Sequence, residues 1–163
     1  MKIKTLYIVL LACLTSVMLN SCDQNNYLQY DENQAYVGFA YPSYGNDSIV
    51  YSFALHPNVE EDIVKVPIKL FGYAATQDRE VGVEVIESES TAKQGVDFVI
   101  EQKRMEANAY KDSLIVKIKK SAEVETKDLV VKLRLCGNDL FAAAPIDAES
   151  FRIILTSKLA EPT

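Results

Sequence analysis

Few side chains in this sequence could do covalent chemistry, and they lie far apart. The single histidine, His56, stands before Pro57 at the end of an alternating apolar stretch whose phase points it outward. A nucleophilic triad needs His beside Ser or Cys, so His56 reads as a solvated surface residue. Cys136 closes another alternating stretch, on the phase of Lys132 and Arg134. A reactive thiolate wants an electropositive pocket with a base, and the only His lies in a distant segment, so Cys136 reads as an inert, partly buried thiol. Asp97 and Glu101 could begin a calcium site, but a hard cation wants on the order of six oxygens. The last apolar stretch ends in Leu155-Thr156-Ser157-Lys158, without carboxylates, so no metal is expected. Glu60-Glu61-Asp62 reads as a charged hairpin turn. A glycosidase needs two carboxylates held across a cleft, and here each acidic residue has an exposed-turn explanation. Tyr41, Tyr44 and Tyr73 lie in or beside loops, where flat phenol faces could meet sugars or protein partners. They are the candidate ligand contacts. No glycine-rich phosphate loop, His-Glu-x-x-His pair or Cys-x-x-Cys occurs. No catalytic residue and no cofactor is therefore expected, and the chain reads as a non-enzyme.

These residues belong to a chain of 163 amino acids, 48% apolar and 25% charged, with no tryptophan. That is enough for one globular domain. Lys and Arg number 17 against 23 Asp and Glu. Such an acidic balance excludes nucleic acid as a partner, because phosphate binding needs a cationic face. It equally opposes electrostatic docking on anionic lipid.

The first residues read as a targeting segment. Lys2 and Lys4 precede a run of 14 residues, Leu6 to Leu19, broken only by Thr15 and Ser16. This is too short for a comfortable membrane span. Leu19-Asn20-Ser21-Cys22 follows, and it resembles the lipobox of bacterial lipoproteins, in which a small residue precedes a Cys that becomes lipidated and N-terminal. Asn20 departs from the commonest pattern. The resemblance implies a signal peptide over residues 1–21 and palmitate-type acylation at Cys22. Removing 21 residues, two of them lysines, leaves 142 with net charge −8. Two or three acyl chains hold a protein on a membrane stably, where one is marginal. Cys136 would then be the only thiol, which excludes an intramolecular disulfide. Residues 22–34 comprise the lipidated Cys and a polar tether. The 12 residues from Asp23 to Gln34 span at most ~40 Å. The expected location is the outer membrane of the cell envelope, facing either the surface or the periplasm.

From Ala35 to Thr163 the apolar period is two. Val37, Phe39 and Tyr41 share one phase. So do Ile49, Tyr51, Phe53 and Leu55; Val64, Val66, Ile68 and Leu70; and Val81, Val83 and Val85. The pattern continues in Phe98 and Ile100; in Leu114, Val116 and Ile118; in Leu129, Val131, Leu133 and Leu135; and in Phe151, Ile153 and Leu155. Each stretch is apolar on one face, as in antiparallel sheets with one wet side. Two such sheets must cover each other, so the expectation is an all-β, immunoglobulin-like antiparallel sandwich of seven or eight strands over residues 35–163. Pro67 has no amide proton, which predicts an edge or a bulge for its strand.

Two stretches carry a further resemblance. One is Ile68-Lys69-Leu70-Phe71-Gly72 followed by Asp78-Arg79. The other is Thr91-Ala92-Lys93-Gln94-Gly95-Val96-Asp97-Phe98. The second is similar to the turn of Calx-beta-like sandwich domains. Together they resemble an uncharacterised family of Bacteroidales-type lipoproteins, a domain of unknown function. The resemblance implies a non-catalytic accessory binding or scaffold module of an outer-membrane glycan-uptake system. Its partners would be the membrane, through the lipid, and transporter or glycan-binding lipoproteins. The alternative is a stand-alone carbohydrate-binding module using the loop tyrosines; a hydrolase ranks below both. Members of the family this resembles usually continue into an aromatic-rich stretch where this sequence reads Thr156 to Pro162, so the expectation is a shortened member or a truncated reading frame. The turn also has a reading without a ligand: Gly95 at positive φ, Thr91 and Asp97 bonding nearby amides, and Phe98 entering the core.

Overall fold

Alternation of apolar and polar residues builds two sheets whose inner faces close on each other. The computed structural model describes residues 35–41, 47–142 and 150–159. Ten strands are present among them: β1 (Tyr36–Phe39), β2 (Ser48–Ser52), β3 (Glu61–Phe71), β4 (Arg79–Glu80), β5 (Gly82–Val85), β6 (Phe98–Gln102), β7 (Arg104–Met105), β8 (Lys111–Lys119), β9 (Leu129–Cys136) and β10 (Ser150–Thr156). Their order is β1-β3-β8-β6 in one sheet and β2-β10-β9-β5 in the other, with β4-β7 as a small separate ribbon. The architecture is an all-β sandwich. No helix among the described residues is long and apolar enough to cross a membrane.

The inward phases match the sequence pattern on the long strands. Val64, Val66, Ile68 and Leu70 of β3 are buried, as are Leu114, Val116 and Ile118 of β8 and Leu129, Val131, Leu133 and Leu135 of β9. Phe39 of one sheet meets Phe151 of the other with ring centroids 5.4 Å apart. Deleting one such core side chain costs about 2–5 kcal/mol, because the cavity left behind adds to the lost transfer energy.

Four features depart from the expectation. The ribbon β4-β7 was not anticipated. β2 joins β10 in parallel, Ile49 opposite Ile153 and Tyr51 opposite Leu155. The chain leaves the first sheet after β1 and joins the second at β2, instead of folding back as a hairpin. β2 also stops at Ser52. Phe53–Leu55 forms a 3-10 turn, so Phe53 is buried while Leu55 is 60% exposed. Finally, Pro67 lies in an interior strand. The β1 register runs only from Tyr36↔Phe71 to Phe39↔Ile68. One residue on, the Ala40 amide donates to the Pro67 carbonyl at 2.8 Å. The reciprocal bond is the one that proline cannot make, and the β1 ladder ends there.

The registers define two ends of the sandwich. Tyr36 is opposite Phe71, and Lys69 is opposite Lys111. The chain enters the domain at this end, through Ala35. At the far end, Glu61 is opposite Lys119 and Phe98 is opposite Ile118.

Candidate functional site

The distinctive turn is at the far end and most of its polar groups hold it together, Asp97 Oδ1 being buried without a hydrogen-bond partner among the described residues. Gly95 has φ +86°. Its amide donates to the Phe98 carbonyl at 2.8 Å, while the Asp97 amide donates to the Lys93 carbonyl. The Lys93 amide donates to Asp97 Oδ2 at 2.7 Å. The Val130 amide donates to Thr91 Oγ1 at 2.8 Å, fastening the turn to β9. Phe98 is fully buried. A depression beside the turn, lined by Val85, Glu87 and residues 90–94, has most of its polar groups engaged. Ser90 Oγ donates to the Ile86 carbonyl and accepts from the Lys132 amide. Lys93 pairs with Glu123. Asp97 is 1% exposed, whereas Glu101 is on the open side of β6. They do not converge. Among the described residues no three His, Cys, Asp or Glu side chains gather as a metal-holding group.

The isolated reactive residues have structural company. His56 closes the 3-10 turn and stacks on Tyr51, with centroids 5.4 Å apart. The Tyr51 hydroxyl donates to Asp62 Oδ2 at 2.6 Å. Burial, followed by that bond to a carboxylate, pushes the Tyr51 phenol up to about 12. The same bond, then the Ile63 amide, holds Asp62 below its usual value. Glu61 and Asp62 are not in a turn: they begin β3, and Glu61 bridges Lys117 at 2.5 Å and Lys119 at 3.3 Å. Cys136 faces Gly82 across the ladder. Burial, then the Glu84 carboxylate, raises its thiol, against the opposing pull of Arg134. That is the reverse of what a nucleophilic cysteine needs.

The candidate tyrosines separate. Tyr41 stacks on Phe151 at 6.2 Å and 9°, and its hydroxyl donates to the Ser150 carbonyl at 3.1 Å. Its ring is part of the packing between sheets. Tyr73 is 57% exposed and follows β3 at the entry end. Extending the β1–β3 register puts Tyr41 opposite Val66, seven residues before Tyr73, or roughly 20 Å along the strand. Tyr44 and Cys22 are outside the described residues.

An open groove forms on the flank that carries the ribbon. It has a volume of about 530 Å³ and is lined by Asp78, Arg79, Glu80, Glu101, Gln102, Lys103 and Arg104. The ribbon pairs Arg79 with Met105 and Glu80 with Arg104. Met105, 1% exposed, anchors it to the core. Asp78 ties two segments: Oδ1 accepts from the Ala107 amide at 2.9 Å and Oδ2 meets Arg104 at 3.2 Å. The Arg79 guanidinium lies 4.3 Å over the Phe141 ring and donates to the Tyr73 carbonyl at 3.3 Å. Partial burial lowers its pKa. Lys103 pairs with Glu80 at 2.9 Å. The groove therefore displays alternating donors and acceptors on a backbone fixed by hydrogen bonds, with no base aimed at a nucleophile. Sequence reading singled out Asp78-Arg79 but missed what they build, since a two-residue strand has no period to detect.

The sandwich recurs in solved structures. A Bacteroides ovatus protein with a provisional carbohydrate-binding designation superposes with a TM-score of 0.52 at 8% identity, over 76% of this chain and 37% of that one. A two-domain Bacteroides fragilis protein of unknown function gives 0.52 at 14% identity, over 77% and 46%. The apo-form Calx CBD1 domain gives 0.48 at 16% identity, over 76% and 96%. The chain thus spans less than half the length of the two Bacteroides proteins. No curated protein matches it. A family model matches residues 25–163, and the chain belongs to that family, the domain of unknown function DUF4843.

Proposed function

We propose that this chain is a lipid-anchored, non-catalytic binding module of the bacterial cell envelope, accessory to an outer-membrane glycan-uptake system. The groove beside the ribbon carries the reading. Its charged and amide side chains sit on a rigid two-strand support, open to solvent, and suit hydroxyl-rich ligands that exchange hydrogen bonds. Cys22, after its apolar run, supplies the anchor in this reading. Two observations lend support: a Bacteroides ovatus protein of the same fold carries a carbohydrate-binding designation, and the potential nucleophiles have structural surroundings. The alternative, a carbohydrate-binding module acting alone through an exposed tyrosine, draws on Tyr73, whose carbonyl meets Arg79 of the groove.

The test is a screen of the mature protein against an oligosaccharide library, followed by titration of any ligand found. The double variant Gln102→Ala, Lys103→Ala should weaken binding about tenfold or more, since a lost hydrogen bond from the Lys103 ammonium is worth ~1.5–3 kcal/mol and one from the neutral Gln102 amide ~0.5–1.5 kcal/mol. No retained oligosaccharide, or equal affinity for the variant, would remove the groove from consideration. Cys22→Ala should move the protein from the membrane to the soluble fraction; unchanged membrane partitioning would sink the anchor.

A further inference from the structure

We infer that the entry end of the sandwich is a membrane-contact surface, seating the domain on zwitterionic lipid headgroups next to its own anchor. This rests on the lipoprotein reading and deepens it. The observation is that the exposed aromatic side chains gather at one end, whereas the apolar side chains exposed at the far end, Leu55, Val96 and Leu159, are aliphatic. Among the described residues, the large apolar side chains exposed to solvent are Val50, Leu55, Ile63, Phe71, Tyr73, Val96, Tyr110, Leu140 and Leu159. Three of these are aromatic, namely Phe71, Tyr73 and Tyr110, and all three are at one end. Phe71 is the last residue of β3 and pairs with Tyr36, the first of β1. Tyr73 follows two residues later. Tyr110 precedes β8, and its carbonyl accepts from the Leu70 amide at 2.9 Å. Leu140 belongs to the loop whose Ala142 amide donates to the Ala35 carbonyl at 2.9 Å. Four exposed side chains, 42–57% accessible, thus ring the point where the chain enters.

That point is also where the anchor is attached. Cys22 to Gln34 is 13 residues, which can reach at most ~45 Å. A domain so tethered meets the bilayer repeatedly, and its entry end is the one held closest. Tyrosine and phenylalanine favour the membrane–water interface, where an apolar ring can sink while a polar tip stays wet. Cations frame the same end: Lys69 Nζ lies 4.7 Å over the Phe71 ring, and Arg79 lies over Phe141. Such side chains extend their charge outward past the apolar surface they cover. Asp78, Glu106, Asp112 and Asp139 balance them, so the contact is apolar and needs no anionic lipid. The Gln102 side of the groove stays accessible in this pose, because Gln102 pairs with Ile115, four residues, or roughly 13 Å, along β8 from the tip, while its Asp78 and Arg79 side borders the contact.

The absence of tryptophan makes the test direct. The full lipidated chain is prepared as single-tryptophan variants Tyr110→Trp, Leu140→Trp and Val96→Trp, the last in the far-end turn. Each is reconstituted on phosphatidylcholine vesicles with plain or brominated acyl chains. Tyr110→Trp and Leu140→Trp should shift to the blue and lose about half their emission on brominated lipid, as expected for side chains at the headgroup–acyl boundary; Val96→Trp should not change. If the chain floats with the vesicles but no variant is quenched, the inference fails while the anchor stands. If the chain does not float, the lipoprotein reading fails and takes the inference with it. Emission that responds to soluble oligosaccharide and not to brominated lipid would make this end a sugar site and overturn the proposal.

Discussion

Two glycines separate two physical reasons for lacking a side chain, and replacing each with alanine tests the description of the fold. Gly95 has φ +86°, and a Cβ built on it meets nothing within 4 Å. Gly95→Ala therefore incurs only the left-handed backbone cost of about 1–2 kcal/mol. It recovers ~0.4–1 kcal/mol from a stiffer unfolded chain, for a net loss of about 1 kcal/mol. Gly82 is not among the positive-φ residues, but its Cβ would lie 2.4 Å from the Cys136 carbonyl oxygen, where ordinary contact begins at 3.4 Å. That oxygen is main chain, in the β9 strand that pairs with Gly82, and cannot rotate away. Relief requires the β5 edge to shift by about an ångström. The expected cost is about 1–3 kcal/mol of overpacking plus a ladder hydrogen bond of ~0.5–1.5 kcal/mol. For a domain of this size 1 kcal/mol moves the melting temperature by roughly 3–5 °C. Gly82→Ala should thus melt roughly 5–22 °C below the parent, and Gly95→Ala within roughly 5 °C of it, by circular dichroism. A Gly82→Ala protein as stable as the parent, or less harmed than Gly95→Ala, would show that the close approach of β5 to β9 is wrong.

Two further outcomes follow from perturbed ionisations. The Tyr51 phenol, raised from 10.0 to about 12 by burial and then by Asp62, contributes stability that is complete below pH 10 and fades as pH rises toward 12; Tyr51→Phe should remove this alkaline limb and a tyrosinate absorbance step near pH 12, and loss of a step near pH 10 instead would contradict the buried, Asp62-bonded phenol. The Cys136 thiol, raised by burial and then by Glu84, should alkylate more slowly at neutral pH than a free cysteine, followed by mass spectrometry; Glu84→Gln should speed the reaction only in part, because burial is the larger cause, and a parent rate equal to that of free cysteine would refute the assignment.

What the sequence disclosed was whatever repeats along one strand. Val64 to Leu70, Leu114 to Ile118 and Leu129 to Leu135 announce their buried faces because each is long and has one wet side. The ribbon was illegible for the opposite reason: Arg79-Glu80 and Arg104-Met105 are too short for a period, and their pairing joins segments 25 residues apart. Pro67 misled for a related reason. Its missing amide does mark the end of a ladder, but the ladder that ends is that of its partner β1, which sequence cannot show. Gly95 was legible because a tight turn imposes a backbone need on one residue, whatever surrounds it. Tyr41 looked like a loop tyrosine free to meet a ligand; its partner Phe151 is more than a hundred residues away, and only the fold brings the rings together.

The two ends of the sandwich differ because the core constrains neither of them. Once β3, β8, β9 and β10 fix the interior, the loops at each end can vary in chemistry without disturbing a buried layer. At the far end that freedom went into paired charges: Glu61 with Lys117 and Lys119, Glu123 with Lys93 and Lys127, Asp128 with Lys158. Exposed pairs of this kind add little stability, about 0–1 kcal/mol each, but they keep a surface wet and discourage apolar contact. At the entry end the same freedom went into Phe71, Tyr73, Tyr110 and Leu140. Stability alone gives no reason for the exposed aromatic rings to gather at one end, when the apolar side chains exposed among the far-end ion pairs, Leu55, Val96 and Leu159, are all aliphatic. A domain whose chain enters through the aromatic end and whose overall charge is negative has such a reason if that end meets lipid. An acidic body gains nothing electrostatic from an anionic surface, so its attraction must come from apolar area, and that area is of use only on the side held near the membrane.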